Sequence, residues 1–336
     1  MSMQTVENVI KENVLSGRKF VTKFVDIGSG SGKLGYGVLQ AEKSDKFIQA
    51  MSEATVFLER TKMIVSSNHK RELDTMSFDL DLYAGRVSGT PQTLSNYQNP
   101  NFANRTFSAE ELRALTGIHK TALKENVEQK GFMNTLATEF GNANGRALER
   151  ILIYGNTASE DNTVTSGYKV VNGIIKTLQA DSNAVNDGEV DLTDSSSNVL
   201  EEVRAVIDAF PDKYKTPGNL VMFVPAKLNR LLRRFLTDNH DKYGDIYFVN
   251  ENGEIVLEDI PLVVVPAFST PKNGYTKKPI ILTVKENIQW LADPDNIEVE
   301  SDFNLKANQW DIASTIYADI NYAFSDATAL AFLKEA

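Results

Sequence analysis

The chain has 336 residues, 42% hydrophobic and 24% charged, a globular composition that excludes disorder throughout, and its lack of cysteine excludes disulfides, thiolate metal sites and cysteine nucleophiles. Its 45 acidic residues outnumber 35 basic ones, giving a net charge of −10 without any basic run, so a protein whose main task is gripping nucleic acid is not expected. No apolar run approaches the roughly 20 residues that span a bilayer, and residues 1–15 lack a signal-peptide core, so neither membrane insertion nor secretion is predicted.

The N-terminal third alternates short candidate elements with polar or glycine-rich stretches. Residues 1–40 include a glycine-dense stretch and are predicted to form an extended arm. Residues 44–60 carry apolar side chains at helical spacing, which predicts a helix. Residues 63–65 and 73–87 are typical of strands, the longer one because apolar and polar residues alternate. Residues 88–104 are rich in Ser, Asn, Pro, Gln and Thr and predict a loop.

Residues 108–118 carry two conflicting signals. Ser108, followed three residues later by Glu111, spells a capping box, which indicates the start of a helix. Apolar or weakly polar residues at every second position instead favour a strand: Leu112, Ala114, Thr116 and Ile118. The pattern alone leaves both alternatives open.

The longest predicted helix covers residues 129–154. Its apolar residues recur at spacings of three and four: Phe132, Leu136, Phe140, Ala143, Ala147, Ile151 and Tyr154. Gly155 and Asn156 end the helix, and a rise of about 1.5 Å per residue makes it a rod of about 40 Å. Gly141 and Gly145 lower its helix propensity, and we expect them to permit close packing against another element.

The C-terminal half mixes helices and strands. Residues 181–197 are acidic and rich in serine, which predicts a connector between domains. Helices are predicted at 197–210 and 225–236, followed by a polar loop at 237–252. Strands are predicted at 219–224, 260–266, 279–284 and 310–322, the last of unusual length.

The stretch from Asp26 to Gly35 is the most enzyme-like part of the chain. A phosphate-cradling P-loop requires Gly-Lys followed by Ser or Thr, but Gly32-Lys33 is followed by Leu34. The glycines also spell G-x-G-x-x-G, the dinucleotide fingerprint. That motif needs a helix that begins among its glycines, whereas the next predicted helix begins near residue 44. Both interpretations are disfavoured.

A third interpretation is an S-adenosylmethionine-dependent methyltransferase. Asp26 precedes the glycines, and residues 99–102 imitate the later Asn-Pro-Pro-aromatic motif of those enzymes. Such an enzyme needs an acid after its next strand to hold the ribose, but residues 66–68 there are Ser-Ser-Asn. The methyltransferase stays the alternative from a different class, and a glycine hinge in an arm is preferred.

No other stretch spells a catalytic or metal site. Asp293 and Asp295 flank Pro294, which predicts a turn rather than an acid–base pair. The three histidines lack the spacing of a metal site: His69, His119 and His240. We therefore predict no catalytic residues, no cofactor-binding residues, no metal ligands and no enzyme activity.

Six stretches, in order along the chain, carry a further signal. They are KSDKFIQAMSEATVFLER at 43–60, ALERILIYGN at 147–156, VNGII at 171–175, FPDKYKTPGNLVMFVPAKLNRLL at 210–232, IPLVVVP at 260–266 and FSDATALAFL at 324–333. Together they resemble the major capsid proteins of tailed bacteriophages with the Hong Kong 97 fold. The first resembles the helix before that family's extended hairpin, the second the end of its spine helix, and the last its closing strand.

The resemblance implies an α+β chain with the Hong Kong 97-like phage capsid fold. That fold has an N-terminal arm, an extended loop, a peripheral domain with a long spine helix, and an axial domain. The resemblance also favours a strand within residues 108–118. The implied boundaries are 1–40 for the arm, 41–62 for the first part of the peripheral domain, 63–117 for the extended loop, 118–180 for the peripheral domain with its spine helix at 129–154, 181–290 for the axial domain, and 291–336 for the returning peripheral strands.

The resemblance also implies a structural, non-catalytic role in an icosahedral head shell. Many copies, as pentamers and hexamers, would enclose double-stranded DNA without sequence-specific binding, after assembly in the bacterial cytoplasm. The sequence has no long helical propeptide before the fold, which predicts a separate scaffolding protein. A portal protein is a further implied partner, and a decoration protein is compatible with the resemblance. An encapsulin-type nanocompartment shares the fold and is the alternative.

Contacts between subunits are expected at exposed charged residues of the arm, loops and turns. The resemblance implies that the stretch 237–252 approaches the five- and six-fold axes and that the turn at 301–308 meets neighbours around local three-fold positions. A lone two-stranded hairpin is marginal in water, so a neighbouring subunit should supply the extended loop's missing contacts. The predicted contact residues are Asp26, Lys33, Lys70, Arg71, Arg86, Asp238, Asp241, Asp302 and Lys306.

Overall fold

Two β-sheets, a two-stranded hairpin and one long helix account for most of the described chain. The structure is a computed structural model, and it describes residues 55–66, 68–77, 101–120, 129–159, 166–182, 184–191, 198–238, 247–250, 253–292 and 298–334. Within these ranges no helix is long and apolar enough to cross a membrane. The predicted arm and its glycine segment lie outside the described residues.

The described helices and strands have the following bounds. The α-helices are α1 (Val56–Arg60), α2 (Gln129–Tyr154), α3 (Ile174–Ala180), α4 (Val199–Asp208) and α5 (Ala226–Asp238). The first seven strands are β1 (Lys62–Val65), β2 (Lys70–Ser77), β3 (Asn101–Ser108), β4 (Glu110–His119), β5 (Val185–Asp191), β6 (Leu220–Val224) and β7 (Tyr247–Val249). The others are β8 (Ile255–Leu257), β9 (Ile260–Val264), β10 (Lys278–Val284), β11 (Ile288–Ala292), β12 (Glu298–Asn304), β13 (Gln309–Tyr322) and β14 (Thr328–Lys334).

The larger sheet has seven strands in the order β5, β14, β10, β6, β9, β8, β7. Its central strand β6 is buried along its whole length, which explains the unbroken apolar run LVMFV. Leu220, Met222 and Val224 pack in a core that contains the apolar sides of α4 and α5. Val221 and Phe223 point the other way, into a core shared with α2 and the second sheet.

The smaller sheet has five strands built around β13, whose 14 residues serve three neighbours. β4 lies along one side of it, and β12 and β11 follow each other along the opposite side. β1 extends the sheet in parallel beyond β11. The long strand predicted at 310–322 is confirmed, and β4 resolves the conflict at 108–118 in favour of a strand. The length of β13 follows from pairing with two successive strands on one side.

Helix α2 confirms the helix predicted at 129–154. Gly141 and Gly145 are both buried, and their close packing against another element stays a prediction. The helix ends at a tight approach, because a Cβ at Gly155 would lie 2.1 Å from the carbonyl oxygen of Val171. The last turns of α2 are buried in the core between the sheets, through Leu148, Leu152, Ile153 and Tyr154.

A buried carboxylate of α2 holds the first described helix. The side chain of Thr55 does not cap α1, and the Phe57 N–H instead donates to Glu149 Oε2 at 2.9 Å. Glu149 is only 4% exposed, and burial raises its pKa to about 7. The Phe57 ring packs edge-on against Phe223 at 4.9 Å between centroids. A polar bond and an aromatic contact therefore attach α1 to the core.

Several segments predicted as loops contain strands. The predicted connector at 181–197 includes β5, the predicted loop at 88–104 overlaps β3, and the predicted loop at 237–252 includes β7. β3 and β5 are polar and lie in the hairpin and at a sheet edge, so composition did not predict their backbone pairing, whereas β7 is a short apolar stretch inside a polar segment. The turn predicted at 301–308 is also shorter, since β12 continues to Asn304.

The last strands of the chain alternate between the two sheets. β14, within the predicted returning peripheral strands, pairs with β5 and β10 in the larger sheet. β11, largely within the predicted axial domain, pairs with β13 in the smaller sheet. The chain therefore passes from the larger sheet to the smaller one after β10 and returns to the larger sheet at β14.

Candidate functional site

The β2–β3 hairpin is the feature of the described chain that most needs a partner. Its strands pair with each other, Lys70 opposite Ser108 through Ser77 opposite Asn101, and with no other described strand. Across its polar face, Asn104 Nδ2 donates to Asp74 Oδ1 at 2.7 Å. Met76, toward the outer end, is 57% exposed. An isolated two-stranded hairpin is only marginally stable in water, so the outer part of the β2–β3 hairpin is a candidate contact surface.

The root of the hairpin docks on the outward-facing side chains of β13. Alternate residues of a strand share a face, and Tyr317, Asp319 and Asn321 form this one. Asp319 Oδ2 accepts the Ser108 N–H at 2.7 Å, and Asn321 Nδ2 donates to the Thr106 carbonyl at 3.2 Å. Burial raises the pKa of Asp319 to about 6. The polar side of this long strand thus orients the hairpin.

A second contact joins the hairpin root to the end of α3. The Arg105 guanidinium lies 2.5 Å from Asp181 Oδ2, which also accepts the Tyr322 hydroxyl at 2.7 Å. The guanidinium carbon sits 4.6 Å from the centre of the Tyr322 ring. Burial, followed by the Asp181 hydrogen bond, raises the pKa of Tyr322 well above its ordinary value. One arginine therefore satisfies a largely buried carboxylate and stacks on an aromatic ring.

Replacing Arg105 with alanine is expected to lower the free energy of unfolding by about 2 kcal/mol, because Asp181 would stay largely buried without its counter-ion. Urea unfolding followed by circular dichroism measures this loss. Lys70→Ala, at an exposed position of the same hairpin, is the matched control and should change stability by less than about 0.5 kcal/mol. Equal stability of the Arg105→Ala variant and the control would show that the contact does not hold the root.

The closed end of the β12–β13 hairpin is a second candidate surface. Leu305 is 83% exposed, and Asp302 and Lys306 on either side of it are exposed as well. Behind them the rings of Phe303 and Trp310 pack with centroids 5.3 Å apart. The tip combines an apolar residue with charges of both signs, a pattern suited to protein contacts.

Five of the nine predicted contact residues are described, and all five are exposed. They occupy three separate surfaces: Lys70 and Arg71 at the hairpin root, Asp238 at the end of α5, and Asp302 and Lys306 at the β12–β13 end. Arg71 also donates to the Val65 carbonyl of its own subunit at 3.3 Å. The other four lie outside the described residues, namely Asp26, Lys33, Arg86 and Asp241.

The sequence interpretation missed Arg105, Asp181, Asp319 and Glu149. Arg105 and Asp181 are 76 positions apart, and no local pattern signals their pairing. Asp319 could have been noticed as an acid on the polar side of a long strand. Glu149 has no local signal either, because its hydrogen-bond partner Phe57 is 92 positions away.

The enzyme alternatives find no support in the sheets. Dinucleotide and S-adenosylmethionine folds bind at the carboxyl ends of mainly parallel strands. In the larger sheet the parallel pairs are β5–β14 and β6–β9, and the other pairs are antiparallel. β1, the strand expected to precede a ribose-binding acid, pairs only with β11 among the described strands. Within the described residues, no three histidines or acids are grouped to hold a metal ion.

Solved structures of shell proteins share this fold. A chain of the satellite phage P4 procapsid with size determination (Sid) protein superposes with a TM-score of 0.56 at 13% identity, covering 87% of this chain and 100% of that chain. A chain of the native GTA particle capsid gives 0.55 at 11% identity, covering 93% and 96%. The virus-like particle from Pyrococcus furiosus gives 0.51 at 8% identity, covering 85% and 96%.

At such identities the likeness defines the fold. No protein-family model matches the chain, and no curated protein matches it by sequence. The mixed helix-and-sheet architecture is that of phage capsid proteins, over nearly the full length of each chain compared. The predicted resemblance to bacteriophage capsid proteins is therefore confirmed at the level of the fold.

Proposed function

We propose that the chain is the major capsid protein of a tailed double-stranded DNA bacteriophage, with the Hong Kong 97-like arrangement. The observation that carries this proposal is the length of the match, which covers 93% of this chain and 96% of the GTA capsid chain. A match to an isolated domain would leave large parts of one chain uncovered. The proposed role is structural and non-catalytic, namely self-assembly into the icosahedral shell around the genome.

In this arrangement each part of the chain has a proposed role. α2 is the spine helix, the β2–β3 hairpin is the extended loop that lies on a neighbouring subunit, and residues 1–40 are the arm. The larger sheet with α4 and α5 is the axial domain, and β14 is now included in it because of its pairing. The β12–β13 end meets neighbours around local three-fold positions. The docked root supports the extended-loop role, since it holds one end of a hairpin whose strands pair with no other described strand.

The proposed partners follow from the shell. Copies of the chain form pentamers and hexamers, and a separate scaffolding protein guides their assembly in the bacterial cytoplasm before the virion matures. A portal protein occupies one vertex, and a decoration protein is compatible with the outer surface. The net charge of −10 supports a wall that encloses DNA without sequence-specific binding.

Negative-stain electron microscopy of the expressed chain, alone and with its scaffolding protein, tests the proposal. Closed shells of uniform diameter with five- and six-fold capsomers are the expected result. Particles that stay monomeric under both conditions would contradict it. Calorimetry with S-adenosylmethionine tests the methyltransferase alternative, and no heat of binding is expected.

Assembly is expected to depend on salt, because each copy carries a net charge of −10 and like charges repel. Raising the ionic strength from about 0.01 M to about 0.15 M shortens the Debye length from about 30 Å to about 8 Å. The protein concentration needed for shells should therefore fall, as measured by light scattering. Identical thresholds at the two salt concentrations would rule out net repulsion as a control on assembly.

A nanocompartment of the encapsulin type is the second candidate, favoured by the likeness to the virus-like particle from Pyrococcus furiosus. The two candidates share a shell and differ in its contents. Nuclease-protected DNA in particles purified from infected cells supports the virion, and packaged enzyme without DNA supports the compartment.

A further inference from the structure

Strand β4 forms a long edge of the smaller sheet. It pairs with β13 over ten consecutive positions without a register shift, and with no other described strand. Side chains alternate along a strand, so the odd-numbered residues of β4 lie on the same face of the sheet as Asp311 and Tyr317 of β13. The side of an edge strand that faces away from its partner presents backbone N–H and C=O groups with which a further strand can pair. We call this side of Glu110–His119 the β4 edge.

The β4 edge lacks the features that protect the other edges of the two sheets. Natural edge strands avoid further pairing by being short, charged or bulged. β1 and β7 have four and three residues, and the pairing of β5 with β14 is interrupted by a register shift. β12 carries the exposed acids Glu300 and Asp302. By contrast, residues 114–118 of β4 are uncharged, and Leu115 among them is 68% exposed. A long, regular edge with an exposed apolar centre indicates a pairing surface.

The outer face of β4 is complementary to itself in one antiparallel register. When Leu115 of one copy lies opposite Leu115 of another, Arg113 falls opposite Gly117. The same register sets Glu111 opposite His119, so two apolar residues meet on the two-fold axis and no like charges face each other. It also pairs odd-numbered residues with odd-numbered ones, which keeps the outer faces of both copies on one side of the joined sheet.

Gly117 leaves room for the arginine that falls opposite it. A Cβ at Gly117 would lie 2.7 Å from Gln309 Nε2 and 2.9 Å from Asp311 Oδ1, so these two side chains lean over the glycine. Asp311 Oδ1 accepts from Gln309 Nε2 at 2.6 Å, and its Oδ2 accepts from Asn304 Nδ2 at 3.1 Å. Because a carboxylate can accept about four hydrogen bonds, Asp311 can also accept from a guanidinium. Arg113 of a second copy would therefore reach a carboxylate across a position without a side chain.

We propose that two copies of this chain join through antiparallel pairing of their β4 edges, with Leu115 on the two-fold axis and Arg113 of each copy directed at Asp311 of the other. The contact is self-symmetric, as two-fold contacts are. The inference rests on the proposed shell function, whose icosahedral symmetry supplies two-fold axes between subunits, and it adds a backbone contact there. The self-complementary register commits the β4 edge to a second copy rather than to another segment of the chain.

A single cysteine tests the register directly, because the chain has no cysteine of its own. Residues directly opposite each other in an antiparallel pair have Cα atoms about 4.5–5.5 Å apart, a distance that a disulfide bridges. Leu115→Cys should therefore give a disulfide-linked dimer in mildly oxidised protein, seen on a non-reducing gel and lost with reductant. Arg113→Cys is the matched control on the same face. Its two copies would lie about 14 Å apart, four residues along the strands, and should stay unlinked.

Opposite charges at position 115 test whether the partner is the same strand. Leu115→Lys and Leu115→Glu each place like charges on the two-fold axis, so the assembled fraction at about 0.15 M salt should fall at least about tenfold. An equal mixture of the two variants sets a cation against an anion and should recover at least about half of the wild-type fraction. Asp259→Asn and Lys285→Gln change the net charge by the same amounts at exposed turns, and both should assemble like the wild type.

Melting followed by circular dichroism separates the contact from folding. Leu115 is an exposed residue, so its three variants should melt like the wild type. Shells whose Leu115→Cys subunits stay unlinked, or whose Arg113→Cys subunits link equally well, would overturn the pairing and leave the shell function standing. Charged variants that assemble like the wild type would overturn it as well.

The mixture and the gel distinguish the remaining outcomes. If each charged variant is defective and their mixture does not recover, another segment occupies the β4 edge and the inference is wrong. Linked Leu115→Cys dimers from a chain that never forms shells would support the pairing and refute the proposed function. A chain that forms neither shells nor linked dimers would refute both.

Discussion

Replacing residues 78–100 with a two-residue Asn-Gly turn is expected to leave a folded subunit that no longer forms shells. Ser77 and Asn101 are directly paired at the last described position of the hairpin, which is the geometry that a two-residue turn closes. The root contacts of Arg105 and Asp319 stay intact, so stability should change by no more than about 1–2 kcal/mol. The lost residues include those proposed to reach the neighbouring subunit.

The structure sharpens the boundary of this deletion. A deletion of 88–104, as the loop prediction alone would indicate, would remove the residues of β3 that pair with Asp74 through Ser77. That deletion would disrupt the strand pairing of the hairpin as well as its proposed contact with the neighbouring subunit, so its result would not separate the two. Circular dichroism melting measures stability, and sedimentation with electron microscopy measures shells.

A flexible Gly/Ser segment of the same length as residues 78–100 is the matched control. It keeps the connection long and removes its side chains, so a loss of shells there would assign the contact to those side chains. Normal shells from the shortened chain would refute the proposed role of the hairpin.

The wild-type subunit is expected to become less stable between pH 5 and pH 8, and Glu149→Gln should remove most of this change. Burial raises the pKa of Glu149 from an ordinary 4.5 to about 7. The folded subunit therefore binds more protons than the unfolded chain between these values. The stabilisation is complete below about pH 4.5 and is lost as the pH rises through 7. A shift of this size corresponds to a free energy on the order of 3 kcal/mol.

Thermal melting at a series of pH values measures this effect. Asp319 acts in the same direction at lower pH, since burial raises its pKa to about 6, so the Glu149→Gln variant should keep a smaller slope. Glu139→Gln, at an exposed position of α2, is the matched control and should retain the full slope. An unchanged slope in the Glu149→Gln variant would exclude this carboxyl group as the cause.

Local periodicity made several elements predictable. The spacing of apolar residues gave the bounds of α2, the apolar run of β6 indicated a strand buried on both faces, and the alternation in β13 predicted its length. These signals work because one element's own geometry decides which of its residues face the core. The six stretches that resemble phage capsid proteins predicted the capsid fold for a related reason, since the residues of each stretch reflect one local element of structure.

Polar edge strands were not predictable in this way. β5 has a composition that favours a loop, and it is a strand because the neighbouring backbone of β14 offers hydrogen bonds. The same holds for the first residues of β3, which pair across the hairpin. Their structure depends on a partner strand far along the chain.

The sequence by itself determined the class of architecture, the long helix, the central strands and a net acidic surface without cysteine chemistry. Only the tertiary structure decided how the hairpin is held, because Arg105 meets Asp181 and Ser108 meets Asp319 through long-range packing. It also decided that Glu149 is buried against the start of α1. Side-chain pairing between distant segments depends on the closed fold, whereas periodicity is a property of each segment alone.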